Sequence, residues 1–131
     1  MLRKLTPAGV HPPFGKYVHG IEVPPEARLV MTSGQLGLAE DGDVPETAFD
    51  QAMLCLRSCG AILAEAGMGP RDVIRVSAYV TDRDYMAEYM RARDIWLADS
   101  GHEPASTLVI VSGFTRPEFL VEVEMTAAKF P

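Results

Sequence analysis

The sequence predicts an α+β fold in which a mixed β-sheet carries two helices on one face, in the order β-β-α-β-α-β-β. Apolar residues recur at helical spacing in two long stretches. Around these stretches lie short runs rich in β-branched residues and bounded by proline or glycine, which is typical of strands. The length of 131 residues fits one domain, and neither a linker nor an internal repeat divides the chain, so residues 1–131 are taken as a single domain.

The N-terminal part is predicted to form an irregular arm followed by a β-hairpin. Residues 1–15 are rich in proline and glycine, which favours an irregular arm. Residues 16–23 alternate in hydrophobicity like a strand, and Pro24 and Pro25 end it. Residues 28–36 form a second run of apolar and β-branched types, so the two strands are expected to pair with each other.

Two amphipathic stretches predict the helices. The first opens at Pro45, carries Glu46 where a carboxylate favours the helix dipole, and ends at Gly67. The second covers about residues 83–98. Because both helices follow crossover connections of the same general kind, they should cover the same face of the sheet. The inner side of the second helix is predicted to consist of Met86, Tyr89, Met90, Trp96 and Leu97.

The remaining strands predict that the chain assembles with copies of itself. Residues 73–81, 106–111 and 119–127 have strand patterns. Residues 108–111 are apolar at every position, and such strands are usually buried on both faces. Since two helices cover only one face, the second face is expected to be covered by another copy of the chain. The pattern predicts an oligomer without fixing the number of subunits.

The charge and hydrophobicity of the chain argue against two kinds of binding partner, nucleic acid and membrane. The formal net charge is −6 and the pI is near 5.0, so the field of the protein repels phosphate backbones and a nucleic-acid partner is not expected. No apolar run approaches the ~20 residues that a membrane-spanning helix needs, so no membrane association is expected. The N-terminal residues lack the apolar stretch of a secretory signal, which makes the cytoplasm the expected location.

The two cysteines admit two interpretations. Cys55 and Cys59 stand four residues apart in the first helix, a spacing that would suit half of a metal site. The same spacing suits two small apolar residues in the core of a protein with reduced thiols, and this interpretation is favoured. No second pair of cysteine or histidine residues stands at ligand spacing, so neither a metal nor an organic cofactor is predicted.

The last strand presents two carboxylates on one face. Side chains alternate along a strand, so Glu122 and Glu124 point away from Val121 and Val123 and toward the face assigned to another subunit. A buried carboxylate without a partner costs several kcal/mol, so a specific role is expected. One interpretation is that a carboxylate positions water or accepts a proton in a cleft between subunits. The other is that each pairs with an arginine across the interface.

Two further segments offer polar groups for a ligand. Tyr17 stands near the start of the first predicted strand, where its hydroxyl can donate a hydrogen bond, although an aromatic ring packed at a sheet edge is the commoner arrangement. Ser33 and the neighbouring Gly34 end the second predicted strand with small residues that can expose backbone N–H groups to an anion. The same residues also fit an ordinary turn.

Taken together, the motifs resemble those of the RidA/YjgF family, whose members are also labelled translation inhibitors or L-PSP endoribonucleases. The resemblance runs from residue 17 to about residue 128. It implies a chorismate-mutase-like homotrimer with clefts between neighbouring subunits, in which members of the RidA type hydrolyse reactive enamines and imines to keto acids and ammonia. The motifs that carry it are Tyr17-Val18-His19-Gly20, Thr32-Ser33-Gly34-Gln35, Ala64-Glu65-Ala66-Gly67, Tyr79-Val80-Thr81-Asp82, Pro104-Ala105 and Val121-Glu122-Val123-Glu124.

By position, the resemblance implies that Tyr17, Ser33 and Glu122 line the cleft. For a deaminase, we expect Glu122 to orient or deprotonate the attacking water, and Tyr17 and the backbone amides near Ser33 or Leu108 to hold the polar part of the substrate. The family arginine that fixes a substrate carboxylate does not carry over, because Ser106 stands in its place. A serine hydroxyl offers one hydrogen bond where guanidinium offers a charged pair, a loss of roughly 1.5–3 kcal/mol. Arg75 and Arg116 remain alternatives for this role.

Three functions therefore stay open. The first is a Rid-type deaminase that acts on a small enamine or imine. The second is a non-catalytic trimer that binds a small metabolite in the same cleft. The third is an endoribonuclease, which the acidic charge and the lack of an evident acid–base histidine pair disfavour.

Overall fold

The computed structural model describes residues 2–130. Two 3₁₀ turns, Pro70–Asp72 and Arg83–Tyr85, precede the fifth strand and the second helix, respectively. The other elements, in chain order, are β1 (Arg3–Leu5), β2 (Gly20–Glu22), β3 (Arg28–Met31), β4 (Gln35–Leu36), α1 (Ala48–Glu65), β5 (Val73–Val80), α2 (Met86–Leu97), β6 (Ala105–Ile110) and β7 (Val121–Lys129).

The sheet is mixed, as the sequence predicts. Its strands run in the order β3-β7-β5-β6, and β4 also pairs with β7. Strand β6 lies parallel to β5, whereas β3, β4 and β5 all pair antiparallel with β7. A separate two-stranded ribbon is formed by β1 and β2. The longest strand, β7, therefore lies inside the sheet, and this placement fixes the positions of the two carboxylates it carries.

Both helices cover one face of the sheet, which confirms the predicted arrangement. Helix α1 begins after Thr47, whose hydroxyl accepts a hydrogen bond from the Asp50 backbone N–H at 3.1 Å, so Pro45 and Glu46 lie just before the helix. Gly67 follows it with a φ of 72°, a conformation that glycine adopts without strain. The helices and the sheet share a core of buried residues that includes Ala52, Cys55, Leu56, Cys59, Leu63, Val76, Ala78, Val80, Tyr89, Val121 and Val123.

The predicted hairpin is wrong. Strand β2 pairs with β1, so residues 3–5 of the arm are a strand, and β3 pairs with β7. Only residues 20–22 of the first predicted strand are in a ladder. The second predicted strand breaks after Met31 because Thr32 bonds to Met125 twice: its N–H donates to the carbonyl at 2.9 Å, and its hydroxyl accepts from the N–H at 3.0 Å.

The face of the sheet away from the helices, called the open face below, is not covered by residues 2–130. It carries large apolar side chains: Leu29 is 59% exposed, Met31 is 76% exposed and Val109 is 40% exposed. Strand β6 is an edge strand, so the burial predicted for residues 108–111 is not supplied within one chain. The open face consists of Leu29, Met31, Arg75, Ser77, Tyr79, Thr107, Val109, Glu122, Glu124 and Thr126.

The two cysteines lie in the core between α1 and β7. The Cys55 thiol donates to the Val121 carbonyl at 3.6 Å, and the Cys59 thiol donates to the Val123 carbonyl at 3.5 Å. Burial raises the pKa of both thiols, that of Cys59 to about 11. Such thiols stay protonated at neutral pH and pack as small apolar groups.

We expect the native protein to resist thiol modification. Because the thiolate is the reactive species and both thiols are buried and protonated, an aromatic disulfide reagent at pH 8 should modify neither Cys55 nor Cys59 within minutes. In denaturant both should react at once. Mass spectrometry of intact protein before and after unfolding measures this, and rapid labelling of the folded chain would contradict the core placement.

No helix among residues 2–130 combines the length and the apolar character that crossing a bilayer would require.

Candidate functional site

Glu122 lies on the open face, beneath the turn that joins β3 to β4. It pairs with Leu36 of β4 on one side and with Tyr79 of β5 on the other. A Cβ atom placed on Gly34 would lie only 2.7 Å from the Glu122 carboxylate carbon and from its Oε2. The carboxylate therefore packs directly against the backbone of the turn, and only glycine at position 34 leaves room for it. The structure thus brings the Ser33–Gly34 turn and Glu122 together.

The two carboxylates of β7 have different surroundings. The Tyr79 hydroxyl donates a hydrogen bond to Glu124, and this bond is the main cause of the raised pKa of Tyr79. The Glu122 carboxylate is half-buried, and burial followed by the negative charge of Glu124 raises the pKa of Glu122. A raised pKa makes a carboxylate a better proton acceptor, whereas the hydrogen bond from Tyr79 holds the Glu124 carboxylate in place.

Tyr17 belongs to a second group of residues at the other edge of the sheet. The Val18 N–H donates to the Pro104 carbonyl at 3.0 Å, and Val18 forms a bridge with Ala105, so this segment runs beside the start of β6. The Tyr17 hydroxyl accepts a hydrogen bond from the Phe14 N–H at 3.2 Å. An edge position was one of the two interpretations of Tyr17 from the sequence.

Ser106 lies in the same group but on the helix side of the sheet. Its neighbour on β5 is Val76, which belongs to the core, so the Ser106 side chain faces α2. Leu108 follows on the same side, where it packs against the core. Neither side chain points to the open face that carries Glu122.

Sequence reasoning missed Arg93, a buried arginine of α2. Its side chain is 3% exposed, and Nη1 donates to the Ser106 hydroxyl at 3.4 Å. A charged residue on a helix is usually assigned to the surface, which is why the pattern passed over it. The helical spacing nevertheless indicates that this position is buried, because Arg93 stands four residues after the buried Tyr89 and four before the buried Leu97.

The other two arginines considered for substrate binding lie elsewhere. The Arg75 Nη2 donates to the Thr107 hydroxyl at 2.5 Å on the open face. Arg116 pairs with Glu118 at 3.5 Å and lies 4.4 Å above the ring of Phe119. Both contact groups other than Ser106, the residue that stands at the position of the family arginine.

One chain therefore holds two separate groups of candidate residues. Ser33 and Glu122 lie around β4 and β7, whereas Tyr17, Arg93 and Ser106 lie around β6. Strand β5 separates β6 from β7, which places their backbones about 10 Å apart at two strand spacings. Within residues 2–130 of one chain, the two groups therefore lie apart.

These features define a class: a small α+β protein with two helices on one face of a mixed sheet and carboxylates on the other. The family model described as Endoribonuclease L-PSP matches residues 9–129. The chain therefore belongs to this family, which is the RidA/YjgF family that its motifs resemble.

Curated relatives agree with this assignment. The chain is 35% identical over 70 residues to TdcF of Escherichia coli K12, which carries the name of a reactive intermediate deaminase, and the match covers 53% of this chain and 52% of TdcF. The chain thus spans about half the length of the TdcF relatives that it matches. It is also 29% identical over 118 residues to a RutC family protein of Aquifex aeolicus, covering 89% of this chain and 91% of that protein.

Solved structures have the same fold. The Rid family protein YyfB of Yersinia pestis, described as of unknown function, is 26% identical with a TM-score of 0.83, and the superposition covers 98% of both chains. The structure of Escherichia coli TdcF with bound serine is 26% identical with a TM-score of 0.74, covering 95% of this chain and 93% of that one.

Proposed function

We propose that the protein is a Rid-type deaminase that hydrolyses a small enamine or imine in clefts between the subunits of a homotrimer. The observation that carries the proposal is the Glu122 carboxylate, which has a raised pKa and packs beneath the Ser33–Gly34 turn on an open sheet face. Both features support a role for Glu122 in proton transfer with a ligand that enters from outside the chain. The reaction converts a carbon–nitrogen double bond and water into a carbonyl group and ammonia.

A neighbouring subunit supplies the second group of residues in this proposal. Leu29, Met31 and Val109 expose apolar surface on the same face as Glu122, and large exposed apolar patches usually mark interfaces. When a second copy covers this face, the edge that carries its Tyr17 and Ser106 can approach Glu122. Closure into a ring of three copies then gives three equivalent clefts.

The chemistry assigned to Glu122 is proton transfer. The oxygen of a water molecule bonds to the imine carbon while Glu122 takes one of its protons and passes it to the nitrogen, which gives a carbinolamine. The hydroxyl proton of the carbinolamine then moves through Glu122 to the nitrogen. The carbon–nitrogen bond breaks, ammonia leaves, and the carboxylate is regenerated.

One relative, TdcF of Escherichia coli, supports a small ligand of this kind. TdcF is named a reactive intermediate deaminase, and a structure of TdcF contains bound serine. We therefore expect the clefts of this protein to accept molecules of amino-acid size. Tyr17 and the backbone N–H groups near Ser33 and Leu108 are the proposed contacts for the polar part of the substrate.

The test is ammonia release from imines that an amino-acid oxidase generates in the same solution. Wild-type protein should accelerate the release, Glu122→Gln should abolish the acceleration, and Glu26→Gln, in an exposed turn, should behave like wild type. If no imine is turned over while the clefts still retain a small molecule, the non-catalytic metabolite binder is the better assignment.

The proposed assembly predicts that Met31→Asp separates the subunits. Met31 is 76% exposed in one chain, and a carboxylate placed in a closed interface costs several kcal/mol. Light scattering of wild type should give three times the mass of 14.3 kDa, and the variant should give one. Ile95→Asp, at a 51% exposed residue of α2 on the opposite side of the sheet, is the control and should stay trimeric. A monomeric wild type would refute the assembly.

A further inference from the structure

The Ser33–Gly34 turn contains one residue more than the stretch of β7 that it faces. Met31 pairs with Thr126 and Gln35 pairs with Val123, so four residue steps on one side face three on the other. One extra residue in one of two antiparallel strands is a β-bulge, which bends the strand and re-aims its side chains. The turn is therefore held over β7 without a regular ladder of backbone hydrogen bonds.

The Thr32 side chain closes this bulge. Thr32 is 9% exposed, and its hydroxyl accepts from the Met125 N–H at 3.0 Å, where a regular strand would offer a backbone carbonyl. The hydroxyl also lies 3.8 Å from the Cys59 sulfur. Because the Cys59 thiol donates to the Val123 carbonyl, the Thr32 hydroxyl is the donor in this contact. The hydroxyl thus has a buried partner both for its lone pair and for its hydrogen.

The anchored turn packs against the Glu122 carboxylate. A Cβ atom on Gly34 would lie 2.7 Å from its carbon and from Oε2, so a small displacement of the turn changes how much water reaches the carboxylate. The other titratable groups near Glu122 are Glu124 on the same strand, Tyr79 on β5 and the protonated Cys55 thiol behind the strand. Of these surroundings, the turn is the part that the buried hydroxyl holds in place.

We propose that Thr32 is a positioning residue for Glu122: its hydroxyl fixes the Ser33–Gly34 turn over the carboxylate and so sets how far the carboxylate is exposed to water. Valine has the shape of threonine and keeps the backbone bond from its N–H to the Met125 carbonyl at 2.9 Å, so Thr32→Val removes only the hydroxyl. The Met125 N–H then lacks its acceptor, and buried polar groups rarely stay unpaired. A water molecule or a carbonyl of the turn replaces the hydroxyl, and the turn moves away from Glu122.

Carbon-13 NMR titration of the Glu122 carboxyl group tests the positioning without any substrate, and Glu122→Gln identifies the signal. In wild type the pKa of Glu122 should lie above its ordinary value of 4.5 because of burial, and the Gly34 amide signal should shift over the same pH range. Thr32→Val should lower this pKa toward 4.5, because access to water stabilises the charged form, and the Gly34 signal should respond less. Thr32→Ser keeps the hydroxyl and should titrate like wild type.

Thr47→Val is the matched control, since the Thr47 hydroxyl also accepts from one backbone N–H, that of Asp50 at 3.1 Å, at the start of α1. It should lower the Tm and leave the titration of Glu122 unchanged, which separates a general loss of stability from a local effect. If Thr32→Val does not fold, Thr32→Ala takes its place, because its smaller side chain leaves room for water beside the Met125 N–H. A wild-type Glu122 that titrates at its ordinary value, or an unchanged titration in the variant that lacks the hydroxyl, would overturn the inference.

The inference rests on the proposed function for its kinetic consequence. With Glu122 as the base, Thr32→Val should lower kcat by about 10- to 100-fold, the effect of a displacement of about 1 Å, with little change in KM, and Thr32→Ser should keep the wild-type rate. A changed titration without ammonia release from any imine would keep the positioning role and reject the deaminase. Turnover that depends on Glu122, combined with wild-type titration and kcat in Thr32→Val, would keep the deaminase and reject the positioning role.

Discussion

Glu122→Gln should lower kcat for imine hydrolysis by about 10²- to 10⁴-fold, the usual contribution of a general base. Glutamine has the same shape and can pack beneath Gly34, but its amide cannot accept and return a proton. The variant should therefore fold normally and keep the oligomeric mass of wild type. Steady-state ammonia release at saturating imine measures the rate, and circular dichroism checks the fold.

The pH profile gives the same prediction a second readout. Burial and the charge of Glu124 raise the pKa of Glu122 above its ordinary value of 4.5. Because the base acts in its ionised form, the rate should fall as the pH drops through this raised pKa. Glu124→Gln removes the neighbouring charge and keeps an acceptor for Tyr79, so the acidic limb should move to lower pH. A limb that stays in place in Glu124→Gln, or full activity in Glu122→Gln, would exclude Glu122 as the base.

The helices and the fold class follow from local patterns. Apolar residues recur at every turn of α1, so one side of this helix is buried. In β5 the side chains alternate, which puts Val76, Ala78 and Val80 on the face opposite the open face. The pairing of strands is decided by distant partners. Strand β3 follows β2 after a short proline turn, which favours a hairpin, yet it pairs with β7 almost a hundred residues later. No local signal contains that information.

The candidate site was only partly accessible to sequence reasoning for a similar reason. Because side chains alternate along β7, the two glutamates are predicted to lie on the face opposite the two valines. The structure has this arrangement, with both valines buried in the core. The environment of each carboxylate depends on contacts with other elements, namely Gly34 for Glu122 and Tyr79 for Glu124. Arg93 was missed because the approach of α2 to Ser106 is a tertiary contact that residue type alone does not predict.

The buried Gln51 of α1 links the helix to the start of the strand that carries Glu122. It is 0% exposed, and its side-chain N–H groups donate to the carbonyls of Pro45 and Glu118, each at 2.8 Å. Its carbonyl oxygen accepts from the Leu120 N–H at 2.8 Å. Gly37 lies so close that a Cβ atom there would be 2.6 Å from the Gln51 Cβ. Gln51 therefore satisfies three part-buried backbone groups from two separate segments of the chain.

Gln51→Leu should destabilise the protein by about 2–4 kcal/mol, because leucine fills similar space but leaves three part-buried backbone groups without their partner. Thermal denaturation at fixed protein concentration should show a Tm lower by roughly 10–20 °C. Gln35→Leu is the matched control, since Gln35 is half-buried and makes one bond of 3.2 Å to the Ser33 carbonyl. Its expected cost is below about 1 kcal/mol. Equal losses in the two variants would mean that Gln51 does not fix the start of β7, and the position of Glu122 would then need another cause.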